Sequence, residues 1–365
     1  MKFRVVVVML ALSLLLTGCA FWQERSYSWV EDYDLPQMPE SSQQISAANY
    51  QQLKKALTAI VARGSRQATI SVAGYPSAAL QQDLHDAVAT VQQTDPIAAY
   101  AVDSILCETG TKSGEPVLLV QVSYRFDVAD VRTICHVQDN AAAVAAIEKV
   151  LSDCQTGIVL HIQHYTEVDF SQLIEDYAMA HPETVMELPQ IQESLYPQTG
   201  ESRVVELKFS YQTSRDSLKQ MQSQVAPVFS SAQLYVSGDS EMHKKYAQLY
   251  SFLMERFDYQ LETSITPAYS LLHHGVGDSK AFAMVYAAMC RMSGLECMIV
   301  SGTKDGESHY WNIIGYAGEY RHVDLLCCVE AGRLMPRTDI EMTGYVWDYS
   351  ACPRCVITEE MPEEK

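Results

Sequence analysis

The fold is decided by one stretch of sequence, Gly275-Val-Gly-Asp-Ser-Lys-Ala-Phe-Ala-Met-Val-Tyr-Ala-Ala-Met289. From Ala281 onward it is apolar on nearly every side, which is typical of a helix covered by protein on most of its surface. Asp278 or Ser279 can cap the first turn, and Gly294 follows the last periodic residues as a C-terminal capping glycine would. We therefore predict a buried central helix with Ser279 at its amino end, where free backbone N–H groups favour a developing negative charge.

A hairpin after this helix completes the predicted site. Residues 309–316 and 319–326 read as two strands that turn at Ala317-Gly318. With a loop of two or four residues, His309 and Asp324 are diagonal neighbours on one face of the sheet. A three-residue loop would place them on opposite faces, so the site depends on this register.

Further motifs share their spacing with one known fold. They are Tyr269 ten residues before Ser279, Val300-Ser-Gly302, and His309-Tyr-Trp-Asn312 followed by Val323-Asp324. Together these motifs resemble the core of the transglutaminase-like superfamily, a papain-related fold, over roughly residues 240–350. The resemblance implies an α+β fold whose triad positions are Ser279, His309 and Asp324.

The resemblance also gives roles to neighbouring side chains. By family analogy Tyr269 donates to an oxyanion, and the alternative is that it simply packs. We expect Trp311 and Asn312 to shape the cleft and fix His309 rather than perform chemistry. The chain departs from the family at one position, because Ser279 stands where the family has cysteine. A serine hydroxyl is far less acidic than a thiol, so it needs a well-placed general base and an oxyanion hole.

Three functional hypotheses follow. In the first, the domain has lost thiol catalysis and binds peptide or cell-wall material. In the second, Ser279, His309 and Asp324 form a working hydrolase or acyl transferase that acts on peptide or isopeptide bonds. In the third, the protein is a structural spacer whose repeats make the interactions. We favour the first, because a site shaped for sulfur does not automatically place a hydroxyl in reach of the imidazole.

The amino end predicts export and a lipid anchor. Two basic residues precede an apolar run over residues 5–16, as in a secretory signal, and Leu16-Thr-Gly-Cys19 resembles a lipobox. The alternatives are cleavage elsewhere or a membrane-spanning anchor, for which the run is short. We predict a lipidated Cys19 that holds the body on the outer face of the bacterial cell membrane.

The chain is acidic, with 26 Lys and Arg against 45 Asp and Glu and a formal net charge of −19. Loss of residues 1–18 would leave 24 basic side chains and a formal charge of −21. Such acidity argues against nucleic acid as a partner and against broad docking on anionic lipid headgroups. We expect no cofactor, and the oligomeric state stays open.

The middle of the chain contains an internal repeat. Two units of helix, strand, helix and two strands end alike, in Val-Gln-Val-Ser-Tyr124 and Leu-Lys-Phe-Ser-Tyr211. The pattern predicts two α/β units with a split sheet and then an incomplete third unit in which Pro227 breaks the helix. The predicted segments are a signal peptide (1–18), a linker (19–44), two α/β units (45–135 and 136–213), a connecting partial unit (214–237), the transglutaminase-like domain (238–350) and a loose acidic tail (351–365).

The cysteines show no regular disulfide framework. Cys352-Pro-Arg-Cys355 suits a redox pair or half of a zinc site, and Cys327-Cys328 would have to supply the other half. Neighbours on a strand point to opposite faces, which makes a shared metal awkward, so we expect no metal. The pairing of these four cysteines stays open. His322, on the His309 face, is the one alternative base.

Overall fold

The computed structural model describes residues 45–356, apart from residues 237, 239, 262–263, 317 and 330. The predicted signal peptide, the linker, Cys19 and the end of the acidic tail lie outside the described residues. The described chain has the predicted mixed α+β fold. Within it, no helix combines the length and the apolar character that crossing a membrane requires.

Two four-stranded sheets of the same topology form the first part of the structure. Each follows the chain order β-α-β-α-β-β, with the first two strands parallel and the other pairs antiparallel. The first unit contains β1 (Ile45–Ser46), α1 (Tyr50–Ala62), β2 (Gln67–Ser71), α2 (Ser77–Thr94), α3 (Pro96–Ala101), β3 (Val102–Lys112) and β4 (Glu115–Tyr124). The second follows α4 (Val128–Arg132) and contains β5 (Cys135–Asp139), α5 (Asn140–Ser152), β6 (Gly157–His164), α6 (Phe170–Ala180), β7 (Gln190–Tyr196) and β8 (Arg203–Ser210).

The short helix α3 of the first unit packs against the second unit. The dipeptide Asp95-Pro96 starts this helix, because the Asp95 side chain accepts the N–H of Ala98 at 2.9 Å and proline suits the first helical position. Tyr100 of this helix contacts the second sheet, with the centre of its ring 5.4 Å from the centre of the Tyr196 ring. The two repeated units therefore pack against each other.

The third sheet and the central helix form the carboxy-terminal domain. Its elements are α7 (Arg215–Tyr235), α8 (Met242–Met254), β9 (Asp258–Tyr259), α9 (Pro267–Tyr269), β10 (Val276–Gly277), α10 (Ser279–Met292), β11 (Cys297–Lys304), β12 (Glu307–Tyr316), β13 (Glu319–Val323) and β14 (Tyr345–Trp347). The sheet order is β13-β12-β11-β14, and β9 pairs with β10 in parallel. Residues 281–290 of α10 are all buried, which confirms the predicted central helix.

The predicted third repeat unit is wrong. Helix α7 continues through Pro227 as one helix, and no strand lies between it and α8 in the described residues. Val225 and Phe229, on either side of the proline, are buried in the core that includes α8 and α10. Packing of this face outweighs the hydrogen bond that proline cannot donate. Helix α7 is thus part of the carboxy-terminal domain.

The predicted loose tail is wrong for residues 351–356. Cys355 is fully buried in a small core with Trp347 and Met342, on the face of the sheet opposite α10. Its carbonyl oxygen accepts the N–H of Asp339 at 2.8 Å. Residues 351–356 therefore belong to the folded domain, because an apolar side chain and a backbone hydrogen bond hold them there.

Candidate active site

Ser279 is the first residue of α10. Asp278 is the N-cap residue, and its carboxylate accepts the N–H of Ala281 at 2.9 Å. The N–H groups of Ser279 and Lys280 have no acceptor among the residues that the structure describes. Ser279 is only 8 % exposed. The positive end of the helix dipole, which these two N–H groups form, therefore lies beside a nearly buried hydroxyl.

A short parallel ladder holds the loop ahead of Ser279. Gly277 of β10 lies opposite Tyr259 of β9. The π-helical turn Ser270–His274 ends at Gly275, whose φ of +84° lies in the left-handed region that favours glycine. Tyr259 remains 44 % exposed, so the ladder places an accessible aromatic ring beside the nucleophile loop.

The β12–β13 hairpin has a two-residue loop, because Tyr316 pairs with Glu319. This is one of the two predicted loop lengths that place His309 and Asp324 on one face. Nε2 of His309 lies 2.9 Å from Oδ2 of Asp324, and both residues are nearly buried. The histidine and aspartate positions are therefore joined as the hairpin register requires.

Asp324 is held by more groups than the imidazole. Its Oδ2 also accepts the hydroxyl of Tyr345 at 2.6 Å and the thiol of Cys327 at 3.0 Å, and Nζ of Lys304 lies 3.8 Å away. Burial would raise the pKa of Asp324, but the hydrogen bonds from His309, Cys327 and Tyr345 outweigh burial and hold the pKa well below its usual range. The ionised carboxylate thus shares its charge among several partners.

The hydroxyl of Ser279 is not bonded to the imidazole. Its Oγ accepts the backbone N–H of Tyr310 at 3.3 Å, and no hydrogen bond joins it to His309, although the structure describes both residues. Asn312 donates to the carbonyl of Ala283 in α10, so even-numbered side chains of β12 face the helix and His309 starts on the other face. The predicted nucleophile and base are brought near the same strand but are not paired.

The side chains predicted to line an oxyanion site or cleft have other contacts. The Tyr269 hydroxyl donates to Oε1 of Gln224 at 2.9 Å and has no hydrogen bond to the described nucleophile loop. Trp311 and Asn312 are 1 % and 0 % exposed, so neither faces an open cleft. The Trp311 ring instead covers Gly302, where a Cβ would come within 2.8 Å of it. These two residues support the strand that carries the histidine.

His322, the predicted alternative base, has both ring nitrogens occupied. Nδ1 accepts the indole N–H of Trp311 at 3.0 Å, and Nε2 lies 3.0 Å from Oδ1 of Asp339. Burial lowers the pKa of His322, although Asp339 opposes this, so the ring is neutral near pH 7. Because indole is only a donor, the proton of that neutral ring is on Nε2 and is donated to Asp339.

This proton position decides whether a metal suits the site. In the described chain, the one cluster of metal-ligand types is His322, Asp339 and Cys355, with ligand atoms within 4.8 Å of one another. A metal between them would need the lone pair of Nε2, and that nitrogen carries the proton. The cluster is a hydrogen-bonded network whose present arrangement does not suit a metal ion.

Sequence reasoning missed three side chains of the site, Lys304, Cys327 and Tyr345. Lys304 ends β11, Cys327 lies in the turn after β13, and Tyr345 starts β14. All three reach Asp324, yet they come from separate elements and share no spacing motif. Only the sheet order, with β14 next to β11, brings them together.

The geometry defines a class of protein. A nucleophile position at the amino end of a buried helix, beside a hairpin with a histidine–aspartate pair, is the arrangement that the sequence resemblance implied for papain-related α+β domains. Residues 230–333 match the family model described as the transglutaminase-like superfamily. This part of the chain is a transglutaminase-like domain.

Three solved structures are similar to the chain at low identity. One is a TGase, 12 % identical, with a TM-score of 0.27, covering 46 % of this chain and 50 % of that one. The second is a proposed cysteine protease from Cytophaga hutchinsonii, 13 % identical, with a TM-score of 0.26, covering 40 % and 65 %. The third, a proposed protease from Parabacteroides distasonis, is 8 % identical with a TM-score of 0.23 and covers 70 % and 39 %. The chain thus spans less than two thirds of each. No curated protein matches it.

Proposed function

We propose that this protein binds peptide or cell-wall material through a transglutaminase-like domain that lacks thiol catalysis. The observation that carries the proposal is the partner of Ser279, whose Oγ accepts a backbone N–H and is not bonded to His309. A serine needs a base within hydrogen-bond reach to become a nucleophile, whereas a binding site does not. The family position for the thiol holds a hydroxyl.

The surroundings of Asp324 also favour binding over catalysis. In a serine hydrolase the carboxylate stabilises the imidazolium that forms during the reaction. Here Nζ of Lys304 lies 3.8 Å from the same oxygen that bonds His309. Burial would lower the pKa of Lys304, but Cys327 and the nearby carboxylates outweigh burial and raise it. A charged ammonium beside the carboxylate reduces the help that it gives to the imidazole.

A cavity beside the nucleophile loop offers room for a ligand side chain. It measures about 210 Å³ and lies between the second α/β unit and the amino end of α10. Met186 and Glu187 line one side, and Asp278, Lys280 and Met284 line the other. This mixture of apolar and charged walls suits a peptide-like group with an apolar chain and a polar end.

Binding is tested at Tyr259, the exposed residue whose strand pairs with the loop ahead of Ser279. We expect Tyr259→Ala to weaken co-sedimentation of the full chain with purified peptidoglycan by about fivefold or more, because truncating a contacting tyrosine commonly costs over 1 kcal/mol. Tyr235→Ala is the matched control, since Tyr235 is 42 % exposed and lies at the end of α7. Equal affinity of both variants and the parent would reject binding at this site.

An active serine hydrolase is the second candidate. It is favoured by the 2.9 Å His309–Asp324 bond and by the two N–H groups at the start of α10, which could receive an oxyanion. A fluorophosphonate probe separates the two functions. We expect no labelling of Ser279, and labelling that is lost in His309→Ala would establish the hydrolase instead.

Export and lipid anchoring through Cys19 complete the proposal and rest on the sequence alone. We expect the full chain, made in a bacterium with its amino end intact, to fractionate with membranes and to carry a diacylglycerol-type mass on Cys19. Cys19→Ser should release the protein from the anchor. Membrane association that survives this substitution would argue for a different attachment.

A further inference from the structure

A lysine and a cysteine next to the candidate site lie unusually close together. Nζ of Lys304 is 2.7 Å from Sγ of Cys327. This separation is short even for an N–H···O hydrogen bond, which commonly measures about 2.7–3.2 Å, and sulfur is a larger atom than oxygen. The two atoms are therefore placed closer than an ordinary contact between an ammonium and a thiol.

Other groups hold both side chains in place. Cys327 Sγ lies 3.0 Å from the hydroxyl of Tyr345 and 3.0 Å from Oδ2 of Asp324. Lys304 Nζ lies 5.4 Å from the centre of the Tyr345 ring. Both side chains are half-buried, so small oxidants can reach them although the cluster is packed. Neither proposed function uses the Cys327 thiol.

We propose that Lys304 and Cys327 are an oxidative modification site, at which one oxygen atom joins Nζ to Sγ in a reversible N–O–S cross-link. A nitrogen and a sulfur that share one bonded oxygen lie closer than a non-bonded pair, which is the placement seen here. The site needs no movement of either backbone. It does not depend on whether the domain binds or hydrolyses.

The oxidant is a peroxide, in two equivalents. The first oxidises the Cys327 thiol to sulfenic acid and leaves as water. In the second step the sulfenic oxygen bonds to Nζ. The second peroxide accepts the sulfenic hydrogen and one hydrogen from Nζ and leaves as two waters, and the ammonium releases one further proton to solvent. Sulfur loses two electrons in the first step and nitrogen loses two in the second. A thiol reductant reverses both steps and restores the thiol and the amine.

The cross-link would change the field at Asp324. It removes the ammonium charge of Lys304, so the carboxylate keeps Tyr345 and His309 as its main partners. It also ties the end of β11 to the turn after β13. Oxidation would thereby alter the site without touching Ser279.

Peptide mapping tests the proposal on the full chain. The reduced protein is treated with hydrogen peroxide, digested with trypsin and compared with an untreated sample. We expect one species joining the Lys304 and Cys327 peptides, heavier than their sum by about 14 Da for one oxygen gained and two hydrogens lost. Cleavage after Lys304 should fall in proportion, and dithiothreitol should restore it.

Variants of the same turn sharpen the result. Cys328→Ser is the matched control and should keep the cross-link, because Cys328 Sγ instead accepts the N–H of Met335 at 3.2 Å. Lys304→Arg keeps a positive charge but should abolish the joined species. Cys327 recovered as sulfinic acid, or in a disulfide with Cys352, with normal cleavage after Lys304, would overturn the proposal.

Discussion

His309 with Asp324 and His322 with Asp339 are two imidazole–carboxylate pairs of nearly equal length, 2.9 and 3.0 Å, in one hairpin region. Their second ring nitrogens differ. Nδ1 of His322 accepts a hydrogen bond from Trp311, whereas Nδ1 of His309 has no hydrogen-bond partner among the described residues. The His322–Asp339 pair is closed into the core, whereas the His309–Asp324 pair leaves one ring nitrogen without a partner in the described chain.

This difference shows that a histidine–aspartate pair does not by itself identify an active site. Both carboxylates orient an imidazole, and both rings are nearly buried. Only the ring with an unoccupied nitrogen can take or give a proton during a reaction. Variants of the two pairs test this contrast.

The largest effect is expected at the more heavily bonded carboxylate. Asp324→Ala would leave His309, Tyr345 and Lys304 without their shared acceptor, so we expect a loss of about 3–5 kcal/mol in the free energy of unfolding. Urea unfolding monitored by fluorescence measures it. Asp339→Ala should cost less, because Asp339 bonds fewer buried groups. An equal loss in both variants would remove the contrast.

Acid should weaken the contribution that Asp324 makes to stability. Because the pKa of Asp324 is lowered by folding, its contribution is complete above the unfolded value and is lost as the pH falls through the folded one. The parent protein should therefore lose stability more steeply below about pH 4 than Asp324→Ala does. Parallel curves would mean that the carboxylate is not specially stabilised.

The next effect separates the two histidines. His322→Leu leaves the Trp311 N–H and the Asp339 carboxylate without their partner, and we expect a loss of about 1–3 kcal/mol. His309→Leu should cost less, because Asp324 keeps Tyr345 and Cys327. The same urea series compares both, and a greater loss in His309→Leu would contradict the assignment of His322 to the core.

The His322 variant also has a pH signature. Burial lowers the pKa of His322, so its stabilising contribution is present above the unfolded value near pH 6.5 and declines as the pH falls through the folded one. His322→Leu should flatten the parent's loss of stability in that range. A stability gap between parent and variant that stays constant from pH 7 to 5 would show that the ring does not titrate on unfolding.

Sequence patterns gave this carboxy-terminal arrangement because it is largely local. The apolar run from Ala281 predicts a buried helix, and the two-residue turn before Glu319 fixes the register that brings His309 to Asp324. The central helix and the hairpin could therefore be predicted from the sequence. The fold class follows from the same elements.

The rest depends on contacts that no local pattern encodes. Pro227 reads as a helix breaker, but burial of its neighbours keeps the helix continuous. Lys304 and Tyr345 reach Asp324 only because β11 and β14 are adjacent in the sheet. The missing bond between Ser279 and His309 likewise depends on the position of α10 against the sheet edge, which residue spacing does not specify.

A smaller effect is expected when Ser279 is given a thiol. In Ser279→Cys the new thiol would lie at the amino end of α10 near His309, and we expect it to react with iodoacetamide at least about tenfold faster at neutral pH than in Ser279→Cys/His309→Ala, a difference of about 1.4 kcal/mol in barrier. Mass spectrometry of the modified peptide gives both rates. Equal rates would show that the imidazole does not reach this position.

The smallest effect concerns the present hydroxyl. Ser279 accepts one long hydrogen bond, 3.3 Å from the N–H of Tyr310, and bonds to no side chain in the described chain. Ser279→Ala should therefore change the free energy of unfolding by about 1 kcal/mol or less, the cost of one weak hydrogen bond. If Oγ were hydrogen-bonded to His309 in solution, the variant would also take away a partner of the imidazole and change its titration. The histidine proton resonances of parent and variant decide this. Matching titration curves support the unpaired serine, and a shift confined to His309 would show that the two residues are bonded after all.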